Sequence, residues 1–189
     1  MKHADPARRG SGLAPANPGL IAAPLDFISE DHLRERQICT MLDGLAAAAS
    51  VDRQTALIVL RFLNEELNVH LRDEAEDLFP LLSRRCTSED AIERAITRIR
   101  IDQDEAMRLL PGVRAALSRC LDTGSDLTDG DRAMLERFTG HVRRHLVAEN
   151  AILLPIARAR LTRRDLKRLS DRMRARRGLT PIAEKADAG

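Results

Sequence analysis

The sequence predicts an all-α protein, arranged as an up-down-up-down antiparallel four-helix bundle with a short basic fifth helix at its C-terminal end. Only 2% of the 189 residues are aromatic, and the aromatic and β-branched runs typical of strands are missing. Apolar residues recur at spacings of three and four along four long stretches, which is the helical period. Short segments rich in turn-forming residues separate these stretches, and short loops make consecutive helices antiparallel.

The composition changes along the chain and suggests its organisation. Pro, Gly, Ala and Asn dominate residues 1–23, so we expect a disordered arm there. The bundle is expected over residues 24–161, the basic helix over 162–178 and a disordered tail over 179–189. The arm lacks the compact apolar segment of a signal peptide, and no apolar run approaches the length of a membrane span. Three scattered cysteines suggest neither disulfides nor a thiolate site, so we expect a cytoplasmic protein.

Each predicted helix has a recognisable start or an apolar stripe. Helix one is expected over residues 25–49 and helix two over 53–85, after Asp52 as N-cap. Helix three is expected over residues 88–121. Helix four is expected over 129–160 and begins with a capping box made by Thr128. Thr162 is expected to cap the basic helix.

Polar residues interrupt the apolar stripes at positions that should face the core. His32 and Glu35 lie on the stripe of helix one, and Gln103 lies at the centre of the stripe of helix three. Helices two and four contribute pairs at a spacing of four, which places both members on one helix face. These pairs are His70 with Glu74 and His145 with Glu149, and His141 lies one turn before the second pair.

Buried imidazoles and carboxylates are costly unless something satisfies them. A single histidine on an apolar face is usually a hydrogen-bonded core residue, but several histidines with two His-x-x-x-Glu pairs favour a metal site. Mixed imidazole and carboxylate ligands suit iron, manganese or zinc, and zinc is less favoured because structural zinc sites prefer thiolates.

Three polar residues have interpretations other than metal binding. His141 is either a ligand or a hydrogen-bond partner of one. Glu35 is either a weak ligand or an exposed residue that pairs with Arg36. Asp77 is expected at the surface or a helix end.

Three segments together resemble bacterial hemerythrin-like (HHE cation-binding) domains: EDHLRER, NVHLRDEAEDLFPLL and RRHLVAENAILLPIARARL. The resemblance covers about residues 25–160. It implies a four-helix bundle with a non-haem di-iron centre that binds or senses dioxygen, or in some members nitric oxide or peroxide. The implied ligands are His32, His70, Glu74, His145 and Glu149, with the two glutamates bridging.

The chain departs from the family pattern in helix three, where the family supplies a histidine and this sequence has Gln103. Either His141 supplies the missing nitrogen, or one iron has fewer ligands, or the site holds one iron instead of two. Gln103 itself is expected to be a weak ligand or a hydrogen-bond partner of the ligands.

The sequence leaves three hypotheses about the function of the protein. The first is a metal protein that binds or senses a diatomic or peroxide ligand, with no catalytic residue and with a protein partner to receive the signal. The second is an oxidase or peroxidase. The third is a metal-free helical interaction module that docks through the basic segment 158–177, which holds ten Lys or Arg residues. This segment lacks the aromatic residues of nucleic-acid binders, so we expect it to pack on the bundle with its arginines pointing outward.

Overall fold

The computed structural model of the protein describes residues 17–180, which form helices without any strand. The all-helical prediction is therefore confirmed. Residues 1–16 and 181–189, which hold most of the predicted arm and tail, lie outside the described residues. Residues 17–23, also assigned to the arm, contain a 3-10 turn at Pro18–Ala22 that buries Ile21 completely. Within residues 17–180, no helix combines the length and apolar character needed to cross a membrane.

Between this turn and residue 180, the structure describes eight α-helices. They are α1 (Pro24–Ala47), α2 (Arg53–Glu65), α3 (Leu67–Arg72), α4 (Phe79–Arg85), α5 (Ile92–Thr123), α6 (Asp129–Ala148), α7 (Leu154–Arg160) and α8 (Arg163–Arg176). A first π segment (Asp73–Leu78) joins α3 to α4, and a second π segment (Glu149–Leu153) joins α6 to α7. Predicted helix two is thus the run from α2 to α4, and predicted helix four is the run from α6 to α7.

The predicted capping residues of helices two and four and of the basic helix are present. The Asp52 side chain accepts a hydrogen bond from the backbone at the start of α2. Thr128 and Thr162 each form a capping box with an aspartate three residues later. Helix α5 begins at Ile92, later than predicted, because a 3-10 turn precedes it and Ala91 adopts a left-handed conformation with φ 50°.

Two prolines explain the π segments. Pro80 and Pro155 lie just after them, each six residues beyond a glutamate of the predicted site. A proline ring lacks an N–H donor and clashes with the carbonyl four residues earlier, and here that carbonyl lies inside the π segment. The wider π turn relieves this conflict. Glu74 and Glu149 therefore lie at equivalent places in two similar irregular turns.

The apolar core is divided into two clusters with a polar layer between them. The larger core contains Ile38, Leu63, Leu67, Ala106, Leu110, Val142 and Leu146 among its buried residues. The smaller core contains Ile28, Leu78, Ile99, Leu153 and Met173. Helix α1 and helix α5 each pass from the smaller core to the larger one. The run from α2 to α4 and the run from α6 to α7 pass in the opposite direction. All four runs cross the polar layer.

Helix α8 packs on this assembly through buried Leu169 and Met173. The expectation that its basic side chains point outward is wrong for Arg176, whose side chain is only 10% exposed. Arg176 contacts buried Asp73 and donates a 2.7 Å hydrogen bond to Asp77. The expectation of a surface Asp77 is also wrong, because this carboxylate is buried and receives the arginines of α8.

Candidate metal centre

The polar layer brings together seven of the eight residues that the sequence singled out, and each is at most 6% exposed. Helix α1 contributes His32 and Glu35, and α5 contributes Gln103. His70 comes from α3 and His145 from α6, while the two π segments present Glu74 and Glu149. The complete set, termed the His/Glu cluster below, is His32, Glu35, His70, Glu74, Gln103, His145 and Glu149.

One side of the cluster is organised around His32. Its Nε2 atom lies 3.1 Å from Glu74 Oε1 and 3.3 Å from Glu149 Oε2. The rings of His32 and His70 meet edge to face, with centroids 5.1 Å apart. His32, His70 and Glu74 each offer one ligand atom within 4.8 Å of the others, which is close enough for metal binding, and Glu74 contacts both histidines.

The other side is organised around Glu35, which lies between two imidazoles. His70 Nε2 is 2.9 Å from Glu35 Oε1, and His145 Nε2 is 3.6 Å from Glu35 Oε2. Glu35 is 1% exposed, so the alternative of an exposed residue paired with Arg36 is wrong. Because His70 Nε2 is also 3.4 Å from Glu74 Oε1, the two sides share Glu74.

Gln103 joins the two glutamates of the π segments. Its Nε2 donates to Glu74 Oε2 at 2.7 Å and to Glu149 Oε1 at 3.1 Å. These contacts make the amide a hydrogen-bond partner of the carboxylates, one of the two roles expected for it. Such contacts fix the orientation of carboxylate ligands.

His141 does not join the cluster. Its Nδ1 lies 2.9 Å from Asp102 Oδ1 and 2.6 Å from a guanidinium nitrogen of Arg144, and its side chain is 19% exposed. His141 lies one helical turn before His145 on α6, and at that level its imidazole contacts Asp102 of α5 instead of the cluster. His141 is therefore not placed to supply the imidazole that Gln103 replaces.

Two further residues support the histidines, and sequence periodicity gave no sign of them. Asn150 Nδ2 lies 3.0 Å from His32 Nδ1, and Asp31 Oδ2 lies 3.4 Å from His70 Nδ1. Both supporting residues are sequence neighbours of cluster residues but fall off the apolar stripes. Contacts of this kind to the distal ring nitrogen orient a histidine ligand.

Burial and mutual contact shift the pKa values within the cluster. Burial and the neighbouring Glu74 carboxylate raise the pKa of Glu149 well above its ordinary value. Burial is the largest influence on the pKa of Glu35 and of Glu74 and acts to raise both, but His70 and the other neighbouring imidazoles together outweigh it, so the pKa of each is lowered. Burial opposes the charged form of His70, yet the same carboxylates raise its pKa well above the usual value. A proton on His70 or on Glu149 would offset part of the carboxylate charge, as a bound cation also would.

Several buried polar atoms of the cluster have no hydrogen-bond partner within residues 17–180. They are both carboxylate oxygens of Glu35, both ring nitrogens of His70 and of His145, and Oε2 of Glu149. A buried polar atom without a partner costs about 1–3 kcal/mol. Atoms of this kind come here from three helical runs, and a metal ion between them would satisfy them, so the donor set fits a cation site.

A comparison with protein families agrees with this geometry. The model of one family, described as the hemerythrin HHE cation binding domain, matches residues 23–157. A search of curated proteins finds no match to the chain. The matched residues contain the whole His/Glu cluster, whereas α8 follows them.

Proposed function

The chain belongs to the hemerythrin HHE cation-binding family, and from this premise we propose that it is a non-haem iron protein with two iron ions in the His/Glu cluster. The observation that carries the proposal is the buried set of three imidazoles and three carboxylates with unpaired ligand atoms. Imidazole and carboxylate donors without thiolates suit iron. The π segments support the proposal as well, since such irregular turns are frequent at functional sites.

The contacts suggest how the ligands are divided. His32 and Glu149 would hold one ion, and His70, His145 and Glu35 would hold the other. Glu74 would contribute to both, because its Oε1 lies within 3.4 Å of the Nε2 atoms of His32 and of His70. Glu35 thereby takes the ligand position that helix three leaves open, with a carboxylate instead of an imidazole.

We propose a small diatomic or peroxide molecule as the ligand of the loaded protein, with dioxygen binding or sensing as its role. Iron in such a site supplies a redox-active centre with a coordination position for the ligand. The protein supplies the surroundings: the two apolar cores exclude water on either side, and Gln103 holds the carboxylates in place. A sensing role would require a protein partner to receive the signal.

The order of the two cores along the chain supports the up-down-up-down arrangement of the bundle. Each of the four runs meets the cores in the order opposite to that of the run before it. This order is expected when consecutive helical runs are antiparallel. The arrangement lets His32, His70 and His145, from three runs, reach one level.

Metal analysis of anaerobically purified protein tests the proposal. We expect about two iron ions per chain in the unmodified protein, with large losses in His70→Ala and in Glu149→Ala. His141→Ala is the matched control, because this histidine comes from the same helix as His145 but lies outside the cluster. Full stability without any metal, or equal metal contents in all four proteins, would contradict the proposal. Repeated turnover of peroxide by the loaded protein would instead indicate the enzyme function.

A further inference from the structure

A cavity of about 200 Å³ runs from the surface of the bundle to the His/Glu cluster. Its deep end is formed by His70 and Glu35, which are 3% and 1% exposed. Both ring nitrogens of His70 and both carboxylate oxygens of Glu35 are among the atoms without a hydrogen-bond partner in the described part of the chain. The cavity therefore leads to ligand atoms on the Glu35 side of the cluster, where His70 Nε2 and Glu35 Oε1 lie 2.9 Å apart.

The walls of the cavity are largely apolar and are held in place. Phe27, Phe62 and Val69 line it. The Arg177 guanidinium lies 4.8 Å from the centre of the Phe27 ring. The Arg34 guanidinium lies 5.5 Å from the centre of the Phe62 ring. Stacking of this kind restrains both rings.

The charges along the cavity offer no binding site for an anion. Arg177 carries the only guanidinium or ammonium group among the described lining residues, and it is paired with buried Asp73 at 2.7 Å. The lining carboxylates Asp31, Glu65 and Glu66 would repel an anion. An anion that entered would lose its hydration beside these carboxylates, and the Arg177 guanidinium that it meets along the way is already paired. A small uncharged molecule is not repelled by these carboxylates and does not lose the strong hydration of an ion.

We propose that this cavity, termed the access port, is the route by which small uncharged ligands reach the metal centre, and that it selects them over anions. The proposal rests on the proposed function, since it assigns a route to the same site. Cavities for drug-sized ligands have about 300–1,000 Å³, so a smaller port admits molecules of a few atoms. Dioxygen, nitric oxide and hydrogen peroxide belong to this class, and Val69, Phe62 and Arg177 are among the residues that line the route.

One wall of the port comes from outside the family match, which ends at residue 157. Arg177 follows directly after α8 and reaches both Asp73 and the Phe27 ring. The basic C-terminal helix thus has a role in this chain that differs from docking on a partner: it completes the port.

The first test measures how fast nitric oxide binds to the iron-loaded protein under anaerobic stopped flow. Val69→Trp narrows the port without changing a cluster residue, so we expect the association rate to fall at least tenfold while the iron content stays the same. Leu57→Trp is the control, because Leu57 is 45% exposed on α2 and does not line the port. An unchanged association rate in Val69→Trp at full iron content would overturn the proposal and leave the proposed function standing.

The second test needs no metal and separates the two proposals. In a Cys86→Ser background, Val69→Cys places a thiol in the wall of the port, and Leu57→Cys places one at the surface. The thiols are treated with an uncharged and with an anionic methanethiosulfonate reagent, and mass spectrometry follows the labelling. Relative to the surface thiol, we expect the uncharged reagent to label the port thiol at least tenfold faster than the anionic one. Equal relative rates would refute the port whether or not iron binds.

Discussion

Glu35→Gln is the sharpest single test of the proposal that the His/Glu cluster holds two metal ions. The substitution keeps the size of the buried side chain but removes the charged carboxylate between His70 and His145. If Glu35 is the carboxylate that completes the second metal position, this change weakens that position. The position around His32 and Glu149 should remain, because its ligand atoms are held by contacts among His32, Glu74 and Glu149.

The size of the effect follows from linkage between binding and folding. A metal ion present at 100 times its dissociation constant stabilises the folded protein by about 2.7 kcal/mol per site. For a domain of this length each kcal/mol changes Tm by roughly 2–4 °C, so losing one position removes about 5–11 °C of metal-dependent stabilisation. Comparing loaded with metal-free protein within each variant cancels any effect of the substitution on the metal-free fold.

Calorimetry of the unmodified protein, Glu35→Gln and His141→Gln, each with and without ferrous iron under nitrogen, measures this difference. Metal analysis of the same samples should give about two, one and two ions per chain. His141→Gln is the control, since its imidazole faces Asp102 outside the cluster. The reasoning is refuted if Glu35→Gln keeps the full metal content and the full gain in Tm.

Three further predictions concern stability. Arg176→Met removes hydrogen bonds to buried Asp73 and Asp77, which keep Arg177 and Arg172 as partners, so we expect a loss of about 1–3 kcal/mol in the free energy of unfolding by urea; no loss would mean that the Arg176 contacts are dispensable. Arg85 holds the pKa of Asp165 down to about 2, so the stability from this pair is full above the unfolded pKa of Asp165 and is lost as the pH falls toward 2. Urea midpoints of Arg85→Gln and the unmodified protein should thus differ at pH 6 and converge near pH 2; a constant gap would contradict this. Leu63→Ala opens a void in the larger core and should cost about 2–5 kcal/mol while the iron content is unchanged.

The sequence by itself determined the helices, their starts and most of the cluster. Helical periodicity is a local property, so the positions of His32, His70, Glu74, His145 and Glu149 on inward faces could be read directly from spacing. The capping residues could be read for the same reason, because each acts within three residues of itself.

The tertiary structure decided what each inward residue contacts. Glu35 and His141 each lie about one helical turn from a predicted ligand on the same helix. Glu35 nevertheless contacts two imidazoles, whereas His141 contacts Asp102. The difference depends on which residue of another helical run lies opposite, and periodicity within one helix carries no information about that. The ion pairs between buried carboxylates and the arginines of α8, and the port that ends at His70, could not be predicted for the same reason. Each forms between segments that are far apart in the chain.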